Sequence, residues 1–489
     1  MPSSFFGLAR RSRSVGNPLS VTSDALRGIL QRIPPTNIST LPNGVRVACE
    51  ENPIATIATV GVWLDAGTRY EDATYAGTAR VLQKCGFLGT TNQTREQIKK
   101  AVDRLGGQLG VSIGREHIYL YMNVEKTGVG EAVALLADLI RNAELSGEAI
   151  AKAKEEVLLD LRRFEEHPRE VVMDNLHRCG YGSTSHGLGT PLYGSDEGIG
   201  LITGDPLHAY RARMLAGRRV VVVGAGCVDH TALEASAREY WGDLAPGGER
   251  IAGLPTSEFV GGEYRLWNMR YNTVNVAWAF QTCGAACGDI VPLALASEIT
   301  WSFERFQHDL SQNAMDRILK IFSPLHNSRA VNKQINEQGI QIVNSFMETY
   351  KDVGLCGMYI VGRSAQNEPG NTGVVVEVLH HTISQWCRFA RLKLPEDELE
   401  RARINLKSQL LLAMDGSAES AKDIGKQVLQ IGRRVPLLEM YDRIDSTTVK
   451  EVQNALLRYF YASKPVFSYL GRLSHTPNYE WTQYWTSKF

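Results

Sequence analysis

The sequence predicts an α+β protein of two similar halves, each a mainly antiparallel sheet covered by helices. Short alternating segments rich in Val, Ile and Trp indicate strands, and longer segments with an apolar stripe indicate amphipathic helices. The order of these elements restarts after a turn-rich stretch at 246–263, which is the predicted linker. A chain of 489 residues is also too long for one compact core.

The first half is assigned to residues 21–245. Its predicted strands are a hairpin at 38–49 around Pro42-Asn43-Gly44, a third strand at 56–65, two strands flanking Gly114, and a buried strand at 218–223. Its predicted helices cover 23–33, 75–86, 94–105, 129–142 and 148–179. In the third of these, Thr94 and Gln97 match a capping box.

The second half is assigned to residues 264–489 and repeats this order. Its predicted strands lie at 264–269 and 274–280, with a strand pair at 340–362. Helices are predicted at 290–322 and 327–338, and two more before Pro436. Since each half spans about 225 residues, the repeat indicates an internal duplication.

The composition limits the classes of function. Lys+Arg and Asp+Glu both number 53, so the chain lacks the basic excess of a protein that coats nucleic acid. No stretch approaches the roughly 20 apolar residues that span a bilayer. The eight cysteines are scattered without a paired C-x2-C pattern, which favours reduced thiols over structural zinc.

The first 20 residues are predicted to be a mitochondrial transit peptide. They contain Arg10, Arg11 and Arg13, five serines and no acidic residue. A disordered basic tail and a nuclear signal are the alternatives. Whether a transit peptide here is cleaved or retained stays open.

One stretch carries a family resemblance: residues 38–50 followed by 61–71, which read GVWLDAGTRYE. It resembles the pitrilysin-type zinc peptidases, the family of the mitochondrial processing peptidase and the core proteins of complex III. The similarity continues through 105–109, Arg115-Glu116, 170–177, 345–357 and the C-terminal 459–489. The resemblance implies two homologous pitrilysin-like halves that form a clam-like shell around a cavity.

Active members of this family carry an H-x-x-E-H zinc motif on the helix after the third strand, and a third ligand, Glu, on a later helix. Alignment on residues 77–79 places Arg80 and Lys84 on the two His positions and Gln83 on the general base. The distal ligand falls on Asp160. Guanidinium and ammonium groups offer no lone pair to a metal, and an amide cannot accept the proton. The resemblance therefore implies a degenerate motif with no catalytic residue, no metal and no cofactor.

Asp160 should project toward Arg80 and Lys84, which sit one helical turn apart. We expect it to pair with one or both cations, because an unpaired carboxylate in a closed site is costly. The alternative is that the long side chains simply reach solvent. A separation of more than about 6 Å from both cationic groups would contradict the pairing.

Two further departures from the family concern substrate binding. Active members hold substrate on an edge strand reading roughly L-N-A-Y, whereas residues 109–112 here read LGVS, without the Asn and Tyr. The alpha-type processing subunit carries a glycine-rich loop in its second half, and here no glycine occurs between Gly288 and Gly339. The first departure implies that the substrate-binding strand is lost, and the second favours the beta/core I line over an alpha subunit.

The resemblance implies a non-catalytic core I-type subunit of mitochondrial complex III, the quinol–cytochrome c reductase of the respiratory chain. The implied partners are a core II-type subunit, cytochrome b, cytochrome c1 and the iron–sulfur protein, in a dimeric complex without nucleic acid. The implied location is the matrix side of the inner membrane, reached through membrane-spanning partners. The alternatives are a non-catalytic subunit of the processing peptidase and an active peptidase.

Overall fold

The computed structural model describes residues 27–28, 30–182, 187–247, 257–271, 273–300, 303–304, 340–363, 373–392, 394–473 and 476–487. The predicted leader at 1–20 and the centre of the predicted linker lie outside the described residues. So do most of the two helices predicted between 290 and 338, and most of the glycine-free stretch. The predicted domain boundaries remain predictions.

The first half contains a sheet of six strands within the described residues. Its strands are β1 (Thr36–Thr40), β2 (Arg46–Glu51), β3 (Ile57–Leu64), β4 (Gln108–Ile113), β5 (Ile118–Glu125) and β6 (Val220–Gly226). Its helices are α1 (Thr78–Leu88), α2 (Arg95–Arg104), α3 (Val129–Arg141), α4 (Gly147–Glu165), α5 (Pro168–Tyr181), α6 (Asp196–Leu201), α7 (Gly204–Met214) and α8 (His230–Trp241).

The second half contains a second sheet, again of six described strands. Its strands are β7 (Gly262–Trp267), β8 (Thr273–Cys283), β9 (Phe303–Glu304), β10 (Ile340–Thr349), β11 (Val353–Arg363) and β12 (Pro465–Gly471). Its helices are α9 (Ile290–Thr300), α10 (Gly373–Arg391), α11 (Glu396–Leu412), α12 (Ser417–Ile431), α13 (Leu437–Ser446), α14 (Val449–Tyr459) and α15 (Tyr479–Trp485).

The two sheets share one topology over five strands: β2-β6-β3-β5-β4 of the first corresponds to β7-β12-β8-β11-β10 of the second. The first runs β1-β2-β6-β3-β5-β4 and the second β7-β12-β8-β11-β10-β9. In each, the last strand of the half, β6 or β12, inserts between two earlier strands and pairs in parallel with one of them, β2 or β7. The other described pairs are antiparallel. The predicted α+β class and its mainly antiparallel sheets are therefore confirmed, and the shared topology supports the predicted duplication.

Several local predictions are confirmed. The hairpin pairs β1 with β2 in antiparallel register. Thr94 and Gln97 form both hydrogen bonds of the capping box at the start of α2. All eight cysteines are free. Of the helix predicted at 23–33, Arg27, Gly28 and Leu30 are helical, and Leu30 packs in an apolar cluster with Leu437 and Tyr441.

Two helix predictions were wrong. The helix expected at 148–179 is two helices, because α4 ends at Glu165 and α5 begins at Pro168. Proline has no amide hydrogen and is tolerated at the first helical position, so it starts α5 instead of continuing α4. Three helices precede Pro436 where two were expected: α10, α11 and α12. Gly416, with φ 97°, separates the last two.

Each half lends one helix to the other half's sheet. Helix α5 of the first half packs on β7, β8 and β12, where Leu176 lies in one apolar cluster with Val466. Helix α12 of the second half packs on β2, β3 and β6, where Ile424 and Val428 lie in one cluster with Trp63. One face of each sheet is thus buried by a helix from the other half.

Among the described residues, no helix combines the length and the apolar character needed to cross a bilayer.

Candidate functional site

The start of α1 is fixed by a buried carboxylate. Gly77 caps the helix with φ 109°, a conformation that favours glycine. The two carboxylate oxygens of Glu71 accept hydrogen bonds from the backbone N–H groups of Gly77 and Ala79, at 2.8 and 2.7 Å. Burial raises the pKa of Glu71 to about 7, although these two N–H groups and the charge of Arg80 act against the rise. This anchor determines where the next turns of α1 lie.

The positions aligned with the zinc motif lie on α1, and α1 packs against α4. The Nζ of Lys84 lies 2.8 Å from Oδ2 of Asp160 and 3.7 Å from Oε2 of Glu156. Oδ1 of Asp160 lies 3.6 Å from Arg163 of the same helix. The pairing expected of Asp160 is therefore confirmed for Lys84. Both side chains keep about a quarter of their surface exposed, at 23% and 27%.

Arg80 has a different environment. Its Nε donates to the carbonyl oxygen of Leu192 at 2.8 Å, and its guanidinium carbon lies 3.5 Å from the centroid of the Tyr193 ring. Tyr193 in turn stacks on Phe164 of α4. Burial lowers the pKa of Arg80, while Tyr193, Glu71 and Asp160 counteract this. Within the described residues, the ion pairs of Asp160 are made with Lys84 and Arg163 only.

These side chains do not fit a zinc ion. An ammonium group lies against the one carboxylate that aligns with a family ligand, and a guanidinium lies against an aromatic ring. Neither cation has a lone pair to donate, and both would repel a dication. The half-buried Gln83 has no basic group to activate water. In the described part of the chain, no three His, Cys, Asp or Glu side chains are grouped so that they could hold a metal ion.

The strand predicted to lie at the edge of the first sheet is β4, which pairs with β5 alone among the described strands. Gly110 aligns with the family's Asn. A Cβ at this position would lie 2.3 Å from Cζ of Tyr121, directly across the strand pair. The Tyr121 ring thus occupies the space that a larger residue at position 110 would need. The glycine that replaces the family's Asn is therefore required by the packing of Tyr121 in this sheet.

A charged junction between the halves escaped the sequence reasoning. The loop between β10 and β11 inserts Lys351 and Asp352 into the first half. Arg69 binds both carboxylate oxygens of Asp352, at 2.7 and 2.6 Å, and also pairs with Glu116. Nζ of Lys351 lies 2.6 Å from Asp65. Arg69 and Glu116 lie within quoted family motifs, but nothing in the sequence indicated their partners across the halves.

The same loop brings a tyrosine to a buried histidine. The hydroxyl of Tyr350 lies 2.7 Å from Nε2 of His177, and Oε2 of Glu348 lies 3.1 Å from the same nitrogen. Burial opposes the ionisation of Glu348, but the charges of His177 and Arg115 and the hydroxyl of Tyr350 outweigh it and lower the pKa of Glu348 to about 2. Arg115 also pairs with Asp174 at 2.6 Å. The junction thus gathers charged and polar side chains from both halves.

Comparison with protein families gives two matches. Residues 46–195 match the family described as Insulinase (Peptidase family M16), and residues 202–406 match the Peptidase M16 inactive domain. Together the matches cover most of both halves.

Individual relatives point in two directions. The chain is 30% identical to the mitochondrial-processing peptidase subunit beta of Blastocladiella emersonii, over 96% of this chain and 95% of the relative. It is 31% identical to the ubiquinol-cytochrome-c reductase complex core protein I of Euglena gracilis, over 90% and 88%. Among solved structures, a chain of complex III2 from Candida albicans with Inz-5 bound matches with a TM-score of 0.78 and 20% identity. That match covers 92% of this chain and all of the other.

Proposed function

The chain belongs to the M16 peptidase family, and we propose that within it the protein is a non-catalytic, core I-type subunit of mitochondrial complex III. The observation that carries this proposal is the ion pair between Lys84 and Asp160. It joins two positions that align with zinc ligands in active members. An ammonium–carboxylate pair satisfies both groups without a metal.

All four aligned positions together speak against catalysis. Activation of water by zinc needs ligands with lone pairs and a nearby base. Arg80 and Lys84 supply positive charge instead, and Gln83 supplies a neutral amide. Asp160 alone keeps a carboxylate, and Lys84 binds it at 2.8 Å. No hydrolytic step follows from this donor set.

Two features favour complex III over the processing peptidase. A beta-type chain without its zinc motif would contribute no chemistry to the peptidase. The glycine-rich loop of the non-catalytic alpha-type subunit is missing from the sequence between Gly288 and Gly339. The similarity to core protein I from Euglena gracilis supports the same choice. The second candidate, a non-catalytic subunit of the processing peptidase, is favoured by the equally similar beta subunits.

In this proposal the protein supports assembly of the complex on the matrix side of the mitochondrial inner membrane. It pairs with a core II-type subunit and is held at the membrane through cytochrome b, cytochrome c1 and the iron–sulfur protein, within a dimeric complex.

Native gel fractionation of detergent-solubilised mitochondria from the source cells, with the chain epitope-tagged, tests this proposal. We expect the tagged chain to migrate with cytochrome b and cytochrome c1. Migration as a soluble heterodimer, apart from both cytochromes, would favour the processing peptidase instead.

Metal analysis of the purified chain tests the lack of catalysis separately. We expect zinc far below one equivalent. The matched control is the variant Arg80→His/Gln83→Glu/Lys84→His/Asp160→Glu, which rebuilds the family's ligand set and should bind zinc. Stoichiometric zinc in the unmodified chain, lost on Asp160→Asn, would contradict the proposal.

A further inference from the structure

A cavity of about 850 Å³ opens at the junction of the two halves, away from the α1–α4 site. Arg80, Gln83, Lys84 and Asp160 are not among the residues that line it. Its walls come from the first half and, in the second, from Ala286, from the loop between β10 and β11, and from Leu429 and Gln430 of α12. Cavities of 300–1,000 Å³ are typical of sites for small molecules.

The acidic side chains of this cavity are already engaged. Asp65 accepts hydrogen bonds from Lys351 at 2.6 Å and from the hydroxyl of Tyr70 at 2.5 Å. Asp352 and Glu116, the other two acidic residues of the lining, both pair with Arg69. Each carboxylate in the lining is therefore paired with a cation of the junction.

Two further arginines line the same cavity and use uncharged partners. Nη1 of Arg46 donates to the carbonyl oxygen of Val428 at 2.7 Å, and Nη2 of Arg213 donates to the carbonyl oxygen of Tyr70 at 2.8 Å. A guanidinium has five N–H donors, so both groups keep donors for another partner. The whole lining holds six Lys and Arg side chains against three carboxylates, so the cavity is electropositive.

We propose that this cavity binds a small soluble oxyanion with more than one phosphate group, of the pyrophosphate or triphosphate class. Guanidinium groups bind phosphate oxygens with charge-assisted, often bidentate hydrogen bonds. The proposal is independent of the role in complex III, because it concerns a ligand site that the peptidase-type positions do not share. A ligand here would contact both halves, since the lining includes Arg46 of the first half and Lys351 of the second.

Isothermal titration of the full-length chain with sodium pyrophosphate, at constant ionic strength, tests the proposal. We expect saturable binding that Arg46→Gln and Arg213→Gln each weaken about tenfold or more. The control is Arg238→Gln, since Arg238 is an exposed arginine of α8 that pairs with Glu234 and lies outside the cavity. This variant should bind as the unmodified chain does.

Arg213 lies at an exposed position, so its variant should keep the melting temperature of the unmodified chain, which thermal unfolding without ligand verifies. Equal affinities of the two cavity variants and the unmodified chain would overturn the proposal. The proposal would also be overturned if titration with sodium chloride, at the same ionic strength, gave the same binding signal as titration with pyrophosphate. Binding to anionic phospholipid vesicles that pyrophosphate cannot displace would assign the site to a lipid headgroup and overturn the soluble ligand.

Discussion

Substitution of Arg69 by Met should destabilise the protein strongly, because this guanidinium neutralises two carboxylates at the junction. The side chains of Arg69 and Glu116 are 8% and 3% exposed, and that of Asp352 is 31% exposed. Without Arg69, water can solvate Asp352. Of its hydrogen bonds, Glu116 would keep the one from the N–H of Lys351, at 2.9 Å. Most of the loss should therefore come from the uncompensated charge of Glu116.

Removal of one partner from a buried ion pair costs about 3–5 kcal/mol. We expect about 3 kcal/mol for Arg69→Met, since one hydrogen bond to Glu116 survives. Burial already raises the pKa of Glu116, and loss of the nearby cation raises it further. A carboxyl whose folded-state pKa exceeds its unfolded value loses stability as the pH rises through that interval. The deficit should therefore be smaller at pH 5 than at pH 8.

Urea unfolding, followed by tryptophan fluorescence, measures the effect as the change in the free energy of unfolding. The double variant Arg69→Met/Glu116→Gln should lose less than the sum of the single losses, because it leaves no buried charge. Arg104→Met is the control: its pair with Glu131 is exposed, so the change should stay within about 0.5 kcal/mol. A loss below about 1 kcal/mol for Arg69→Met would refute the reasoning.

Three further outcomes are expected. Gly425→Ala should lower stability by about 1–3 kcal/mol in urea unfolding, because its Cβ would lie 2.0 Å from Nε1 of Trp63; an unchanged midpoint would contradict the packing of α12. The raised pKa of Glu71 implies that stability declines as the pH rises from 4.5 to 7, and Glu71→Gln should make this decline smaller. Thermal melts across this pH range measure it, and an equal decline in both proteins would rule out Glu71 as its source. Lys84→Met should cost about 1 kcal/mol, and Asp160→Asn should add little to it in a double-mutant cycle; additive losses would mean that the pair does not interact.

The elements that local chemistry determines were predictable. The hairpin followed from Pro42-Asn43-Gly44, and the capping box followed from Thr94 and Gln97. The break before α5 was missed because the apolar pattern continues across it while Pro168 starts a new helix. A periodic pattern reports the face that a helix buries, but not whether one helix or two provides it.

Only part of the candidate site was predictable from the sequence. The approach of Asp160 to Lys84 followed from positions in a family motif. The contact of Arg80 with Tyr193 did not, because it depends on how the segment before α6 folds over α1. The partners of Arg69 were also hidden, since Asp352 is 283 residues away and belongs to the other half. Long-range pairs of this kind leave no periodic trace in a single sequence.

The helices that the halves lend each other have a consequence for the integrity of the chain. Either half produced alone would expose the sheet face that α5 or α12 covers, although the predicted linker at 246–263 would be the obvious place to divide the protein. Two copies of one half could cover these faces by swapping the helix, as in a domain-swapped dimer. When the two halves belong to one chain, this exchange of helices is intramolecular. The burial of both sheet faces then depends on the length of the connection between the halves and not on protein concentration.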